Sequence, residues 1–433
     1  MTVPSIPLSL STNNLEPVTR PEIELLLCCA RTKIAAGTAE RIKSLVQQEI
    51  DWEYLLKLAA AHAVLPLLYQ SLSATSPEAI PQGVLNQLKH YFHQNALRNL
   101  SRTGEMIRLI DLLKQHDIPA IPFKGPVLAA FAYGDTALRQ FDDLDILVRP
   151  QDFLKAKDVL IAAGGYQPAW QPYFLTEAQE AAHLRSSCEC SLTRKDGKVD
   201  VDLHQELVGG TFFSYPLTFD TLWEQLEAVS AIACKLLSLP AEDLLIYLCI
   251  HGAKSFWGRL SWICDIAELI GGNQCLDWEK VIKKANLLHA ERMLLLGLLL
   301  ARDLLEAPLP ESIWEKIQTD IQSQQLAIQI RQRVLSGTYG LTKGFNLEMF
   351  FFQFHVLERS QERLRFCFKY CIRFGWIPVR NLLRPTSKDR SFLPLPYPLY
   401  GLYYFIRPVR LAIALGLTTR KAYQRKLRQK GTQ

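Results

Sequence analysis

From Pro21 to about Gln115 apolar residues return every three or four positions, as in Ile23-Leu26-Leu27, Leu55-Leu56-Leu58-Ala59 and Leu85-Leu88-Tyr91-Phe92. That spacing predicts a helical lobe. The pattern changes at Asp117. Ile118 to Phe123 is a short apolar run with prolines, too brief for a helix and bounded by Lys124-Gly125, and it reads as a strand entering a turn. Pro126 suits the first turn of a helix that runs through Val127, Leu128 and Phe131 to Gly134. Asp142 to Val148 then alternates, with Leu144, Ile146 and Val148 on one face and Asp143, Asp145 and Leu147 on the other, which predicts a half-buried strand closed by Pro150. Asp152 to Ala163 reads as a helix ending at Gly164-Gly165. A second alternating strand follows at Val199 to His204, with Asp200, Asp202 and His204 on its polar face. Helical periodicity returns at Ala241 and includes Asp243 to Ile270 and Leu287 to Leu305.

Helices, then strands interspersed with helices, then helices again predict an α+β fold. The natural divisions are a helical lobe over 1–116, an α/β core over 117–220, a helical domain over 221–345 and a C-terminal segment over 346–433.

Composition adds little until charge is mapped. The 433 residues are 48% apolar and 21% charged, which is ordinary for a globular protein. No uncharged apolar run approaches the roughly 20 residues that span a bilayer, which argues against a polytopic membrane protein. The N-terminus lacks a basic start followed by an apolar stretch, and Glu16, Glu22 and Glu24 arrive where a signal peptide would still be apolar, so a cytoplasmic location is expected. The ten cysteines show neither CxxC spacing nor a disulfide framework. The net charge of +6 is unevenly placed: residues 358–433 hold 17 Lys/Arg against 3 Asp/Glu, a charge of +14, leaving −8 for the rest. That segment is aromatic as well as basic, with Phe366, Phe368, Tyr370, Phe374, Trp376, Tyr397, Tyr400, Tyr403 and Tyr404 among its Lys and Arg residues. Its composition fits a solvated or acidic-partner surface, and it also permits docking on an anionic membrane. Nucleic acid is the poorer fit, because the core is net acidic.

The chemistry concentrates on the two alternating strands. Like charges a few ångströms apart raise one another's pKa unless a cation compensates, so three carboxylates on one face of neighbouring strands call for something positive. Asp143 and Asp145 project side by side, and Asp202 or Asp200 from the second strand completes a cage of hard oxygen ligands. Mg²⁺ is the natural occupant, with Mn²⁺ as the alternative, because it takes carboxylates together with substrate phosphates. Two such ions would stabilise the entering and leaving oxygens of an in-line displacement. Lys124 and Arg139 are placed to neutralise a triphosphate, and Gly125 at the turn lets backbone N–H groups approach phosphate oxygens. In the second helical region His251, Lys254, Trp257 and Arg259 either line the opposite wall of a cleft or serve the core, with Arg259 and Asp265 as a structural ion pair.

FKGPVLAAFAYGDTALRQFDDLDILV, followed by GGYQP and VDVDLHQEL, resembles the uncharacterised bacterial nucleotidyltransferases related to the polymerase β superfamily. The flanks are similar too, through Asp51-Trp52, Leu55, His62 and Pro66-Leu67-Leu68, and through His251 to Lys254, Trp257, Trp262 and Asp265, so the likeness covers roughly residues 20–345. It implies a small mixed β-sheet core flanked by helical regions. It also implies that Asp143, Asp145 and Asp202 are the catalytic metal ligands, and that Lys124, Gly125, Arg139 and His204 contact substrate. The usual Gly-Ser turn of the wider superfamily is replaced here by Lys124-Gly125-Pro126, so Lys124 stands in for contacts that a serine makes elsewhere. The resulting expectation is a Mg²⁺-dependent enzyme that moves an NMP group from an NTP to a hydroxyl-bearing acceptor. The competing expectation is a catalytically inactive member of the same fold, serving binding or assembly, with the basic segment at an anionic membrane.

Overall fold

A computed structural model describes residues 20–169, 181–182, 184, 187–208, 218–231, 234–273, 276–336, 347–372 and 385–412. Five strands form one mixed sheet: β1 (Ala120–Pro122), β2 (Asp143–Val148), β3 (Tyr166–Pro168), β4 (Glu189–Arg194) and β5 (Asp200–His204), in the order β1-β2-β5-β4-β3. β2 and β5 are parallel and the other neighbours antiparallel. β1 is shorter than its apolar run because Phe123 leaves the sheet to enter the turn, and β3 and β4 carry too little alternation to be foreseen.

The alternation in β2 decides what covers each face. Leu144, Ile146 and Val148 lie in a core formed with Met106, Leu109 and Leu113 of the long helix Gln82–Gln115 and with Phe153, Ala156 and Leu160 of the helix Phe153–Ala162. On the other face Leu147 joins Ile121 and Phe123 in a second, larger core. The helices before and after the sheet share that second core, which runs from Ile23 and Leu25 through Leu245 and Ile266 to Phe352 and Phe366. The carboxylates therefore sit at the beginning of a face whose far end is closed by helices.

Named polar contacts tie the two helical flanks together. Asp51 caps the helix Trp52–Ala61 by accepting from the Tyr54 N–H at 2.9 Å, which accounts for the Asp51-Trp52 pattern. At the other end of that helix, His62 Nδ1 accepts from the Leu260 N–H at 3.0 Å. Burial pulls the His62 imidazole down to about 4, so it stays neutral and keeps a lone pair for that bond. Arg31 adds an ion pair to Glu268 at 2.6 Å.

The run predicted as helical from Asp243 to Ile270 is broken into Ala241–Lys254 and Leu260–Gly272. Phe256 and Trp257 take positive φ values of 53° and 48° in the connection, and the Trp257 N–H returns to the Gly252 carbonyl at 2.9 Å. A hairpin, Glu227–Ala231 with Cys234–Ser238, precedes these helices and was not expected. Among the described residues no helix is long and apolar enough to cross a membrane. The first 19 residues, Phe374, Trp376 and the Tyr397 side chain lie outside the described residues.

The broken helix yields a stability test. A Cβ built on Gly252 would lie 2.3 Å from the ring of Trp257, which is 2% exposed. Overpacking of about 1–3 kcal/mol outweighs the gain of ~1 kcal/mol from alanine's helix propensity. Gly252→Ala is therefore expected to lower the urea midpoint; an unchanged or raised midpoint would show that the ring can move aside.

Candidate active site

Parallel pairing of β2 with β5 sets Asp143 opposite Asp200, Asp145 opposite Asp202 and Leu147 opposite His204. Because side chains alternate along both strands, all four carboxylates and His204 share one face. Register and depth then separate them. Asp145 is 2% exposed and His204 6%, Asp143 and Asp202 are intermediate, and Asp200 is exposed with its Oδ1 accepting from Thr193 Oγ1 at 2.7 Å. Asp145, Asp202 and His204 each offer one ligand atom, all within 4.8 Å of one another. The choice between Asp200 and Asp202 thus falls on Asp202. Asp143 stands on the same face but outside that set, and His204, expected at the substrate, is inside it.

Lys124 supplies the fixed positive charge. Its Nζ donates to Asp145 Oδ1 at 3.1 Å and sits 5.4 Å from the centre of the Tyr247 ring. Burial alone would raise the Asp145 pKa, but the Lys124 ammonium and His204 outweigh it and hold the carboxyl well below the carboxylate range. Burial likewise works against the charged Lys124, and Asp145 reverses it, so the ammonium is held above its ordinary value. The pair is charged as built. Asp143 and Asp202 receive less compensation. Burial, then repulsion from Asp145, pushes Asp143 up to about 6. Burial also raises Asp202, with relief from a bond to Ser191 across the β4–β5 ladder.

Gly125 shapes the turn between β1 and the acidic strand. It has φ of +53°, and a Cβ there would meet the Asp143 carbonyl oxygen at 3.3 Å, so a side chain would be strained and would push on β2. The following helix Gly125–Leu128 continues as a π-helical turn to Tyr133 and ends at Gly134, as Pro126 and Gly134 foretold.

Arg139 is not free to neutralise a triphosphate. Its Nε and Nη2 bind Asp265 Oδ1 and Oδ2 at 2.7 and 3.0 Å, and the Tyr133 hydroxyl donates to the same carboxylate at 2.8 Å. With Asp265 1% exposed, this is a buried bidentate pair joining the turn region to the second helical flank. Asp265 therefore pairs with Arg139 and not with Arg259, which is exposed. Around Arg139 the long helix holds the loop backbone: Asn99 donates to the Thr136 and Arg139 carbonyls at 2.7 and 2.8 Å, and Arg102 donates to the Phe141 carbonyl at 2.7 Å. Trp257 belongs to the core. His251 stacks on Tyr247 with ring centres 6.0 Å apart and meets the edge of Trp262 at 5.2 Å. Burial, then the charges of Lys124 and Lys254, keeps its imidazole neutral.

A divalent cation fits this donor set on one further observation. Asp145 Oδ2 is buried and has no hydrogen-bond partner among the described residues, although Oδ1 has two. An unpaired charged oxygen at that depth is costly unless a cation meets it. His204 is oriented for the same place: its ring packs edge-on against Phe123 at 5.2 Å, Nε2 lies 3.2 Å from Asp145 Oδ1, and Nδ1 lies 3.6 Å from Glu189 Oε2. A carboxylate behind the distal nitrogen of an imidazole is a common way of orienting a metal-binding histidine. Tyr247 and Glu189 were missed in the sequence; Asp265 was singled out there, but with Arg259 in place of Arg139 as its partner.

A model of the family described as uncharacterised nucleotidyltransferase matches residues 48–306. The chain belongs to that family. The nucleotidyltransferase match lies within the polymerase β-like superfamily and spans the sheet, the Lys124-Gly125 turn and both flanking helical regions up to Glu306. No curated protein matches the chain. Within that family the chain carries one candidate metal-binding triad among the described residues, Asp145, Asp202 and His204.

The raised Asp143 carboxyl sets a pH dependence. Well below pH 3.8 it is protonated in folded and unfolded chains alike; as pH rises through 3.8 towards 6 the unfolded chain ionises first, so the folded state loses stability until both are charged. In EDTA, Asp143→Asn is expected to be close to neutral at pH 4 and to exceed the wild type by about 1–3 kcal/mol above pH 6.5. Urea unfolding across that range reads the difference, and a gap that does not change with pH would contradict the assignment.

Proposed function

We propose that the protein transfers an NMP group from a nucleoside triphosphate to a hydroxyl-bearing acceptor, with a divalent cation, Mg²⁺ or Mn²⁺, held by Asp145, Asp202 and His204. The observation that carries this reading is the unpartnered, buried Oδ2 of Asp145, a residue grouped with Asp202 and His204 by ligand atoms within 4.8 Å of one another. When bound, the ion supplies Lewis acidity to phosphoryl oxygens and neutralises charge that develops on them. In the displacement the acceptor oxygen bonds to the α-phosphorus, the bond to the bridging oxygen breaks, and pyrophosphate leaves.

The chain's own groups prepare that step. Lys124 keeps Asp145 ionised and is itself held in place by Tyr247. Arg139 acts through Asp265 and its 3.5 Å contact to the Gly125 carbonyl, so it positions the turn while Lys124 is left as the cation nearest the phosphates. Asp202, more exposed than Asp145 and raised by burial, suits the hydroxyl proton. Asp143, one register step away on the same face, would meet a second ion arriving with the triphosphate. The 3.1 Å Lys124–Asp145 pair favours a second reading, in which the acidic cluster is structural and the chain is a binding or assembly protein.

Titration with Mn²⁺ followed by electron paramagnetic resonance, and with Mg²⁺ and ATP by calorimetry, separates the two. Asp145→Asn and Asp202→Asn are expected to weaken metal binding by more than about tenfold, and His204→Gln by about tenfold. Mg²⁺-dependent ATP binding that survives Asp143→Ala plus Asp145→Ala unchanged would overturn the metal assignment. Absence of any nucleotide affinity at millimolar Mg²⁺ would favour the binding protein.

A further inference from the structure

The C-terminal segment has an inverted distribution of charge and apolar surface that the transfer reaction does not use. In the helix Ser360–Cys371, Phe366 and Tyr370 pack inward on Phe350, while Leu364 and Phe368 point outward at 74% and 68% exposure, beside the exposed Arg365 and Lys369. The inversion is sharper over 385–412. Asp389 is wholly buried and takes Arg410 Nε at 2.6 Å and Arg407 Nη1 at 3.1 Å, so both guanidinium groups are turned inward at 17% and 11% exposure. From the same stretch Phe405 is 75% exposed, Val409 57% and Phe392 50%. A helix in water ordinarily buries phenylalanine and exposes arginine. Over 385–412 Arg407 and Arg410 are folded in while Phe405, Val409 and Phe392 face out.

The electrostatics indicate what meets these rings. Residues 358–433 carry 17 Lys/Arg and 3 Asp/Glu. Each of the three acids is engaged inward: Glu358 accepts from the Arg292 N–H at 2.6 Å, Glu362 is partly buried near His289, and Asp389 holds the two arginines. The outward charge is therefore positive, with the exposed Lys388 and Arg390 next to Phe392. The rest of the chain is at −8, so an anionic surface attracts this segment and repels the remainder, which orients the molecule. Exposed rings spread over several short elements suit insertion among headgroups better than a partner's side chain.

We propose that residues 360–372 and 385–412 form a peripheral docking face for an anionic lipid bilayer, with Phe368 and Phe405 entering the interface and basic side chains contacting the headgroups. This is independent of the transfer reaction. The full chain is to be sedimented with vesicles of phosphatidylcholine alone and with about 30% phosphatidylglycerol added. It is expected to pellet with the second and to do so about tenfold less with the first. Phe368→Glu plus Phe405→Glu is expected to reduce binding to anionic vesicles by about tenfold, with melting temperature and Mn²⁺ binding unchanged. Both rings are exposed, so folding should tolerate the change; Phe405→Ser alone serves as the milder variant, with a smaller loss expected. Failure to pellet with anionic vesicles overturns the proposal. So does pelleting that both variants leave intact and about 0.5 M salt abolishes, which is charge adsorption alone. A dimer dispersed by the same variants, without vesicle binding, would assign the face to a second copy of the chain.

Discussion

A carboxylate buried as deeply as Asp145 has to be matched by positive charge, and much of the surrounding structure follows from that constraint. Lys124, at the turn that follows β1, meets one of its oxygens at 3.1 Å. Tyr247 then holds the lysine from the helix Ala241–Lys254, and His251 stacks on Tyr247 one turn further along. The second oxygen has no such partner among the described residues. Lys124 and His204 keep Asp145 ionised through Oδ1 without using its full ligand capacity, and Asp202 and His204 lie within reach of the same carboxylate.

The same logic explains why the second helical flank cannot be separated from the sheet in function. Asp265 comes from the helix Leu260–Gly272, yet it orients Arg139 in the loop that leads into the acidic strand. His62 and Arg31 fasten the first flank to that same helix. The turn is thereby held from both sides by buried polar contacts whose partners are far apart in the chain. Buried ion pairs of this kind contribute little net stability but are costly to break, which makes them suited to holding one geometry in place of several. The family match across residues 48–306 covers these fastening elements as well as the sheet, in keeping with a site that needs both.

Alternation along β2 and β5, the Lys124-Gly125 turn and the helical flanks were legible in the sequence because each depends on near neighbours: periods of two and 3.6, a proline in a first turn, a glycine where φ is positive. The identity of the strand face that bears Asp143, Asp145, Asp202 and His204 follows from the same period. β3, β4 and the hairpin Glu227–Ala231 with Cys234–Ser238 left no comparable trace, since their residues are paired mainly through the backbone and only partly buried. The break at Phe256 and Trp257 was hidden because the apolar period continues across it.

Tertiary structure alone decided the matters of partnership. Parallel register set Asp145 beside Asp202 and left Asp200 to Thr193, a difference of one pleat that no periodicity distinguishes. It drew His204 into the ligand set and gave Arg139 to Asp265, 126 residues away, withdrawing it from substrate. Local patterns determine which way a side chain points, because that is a property of the backbone's own geometry. Which charge it meets depends on how distant segments pack, and in a buried site that choice settles protonation, free ligand capacity and chemistry.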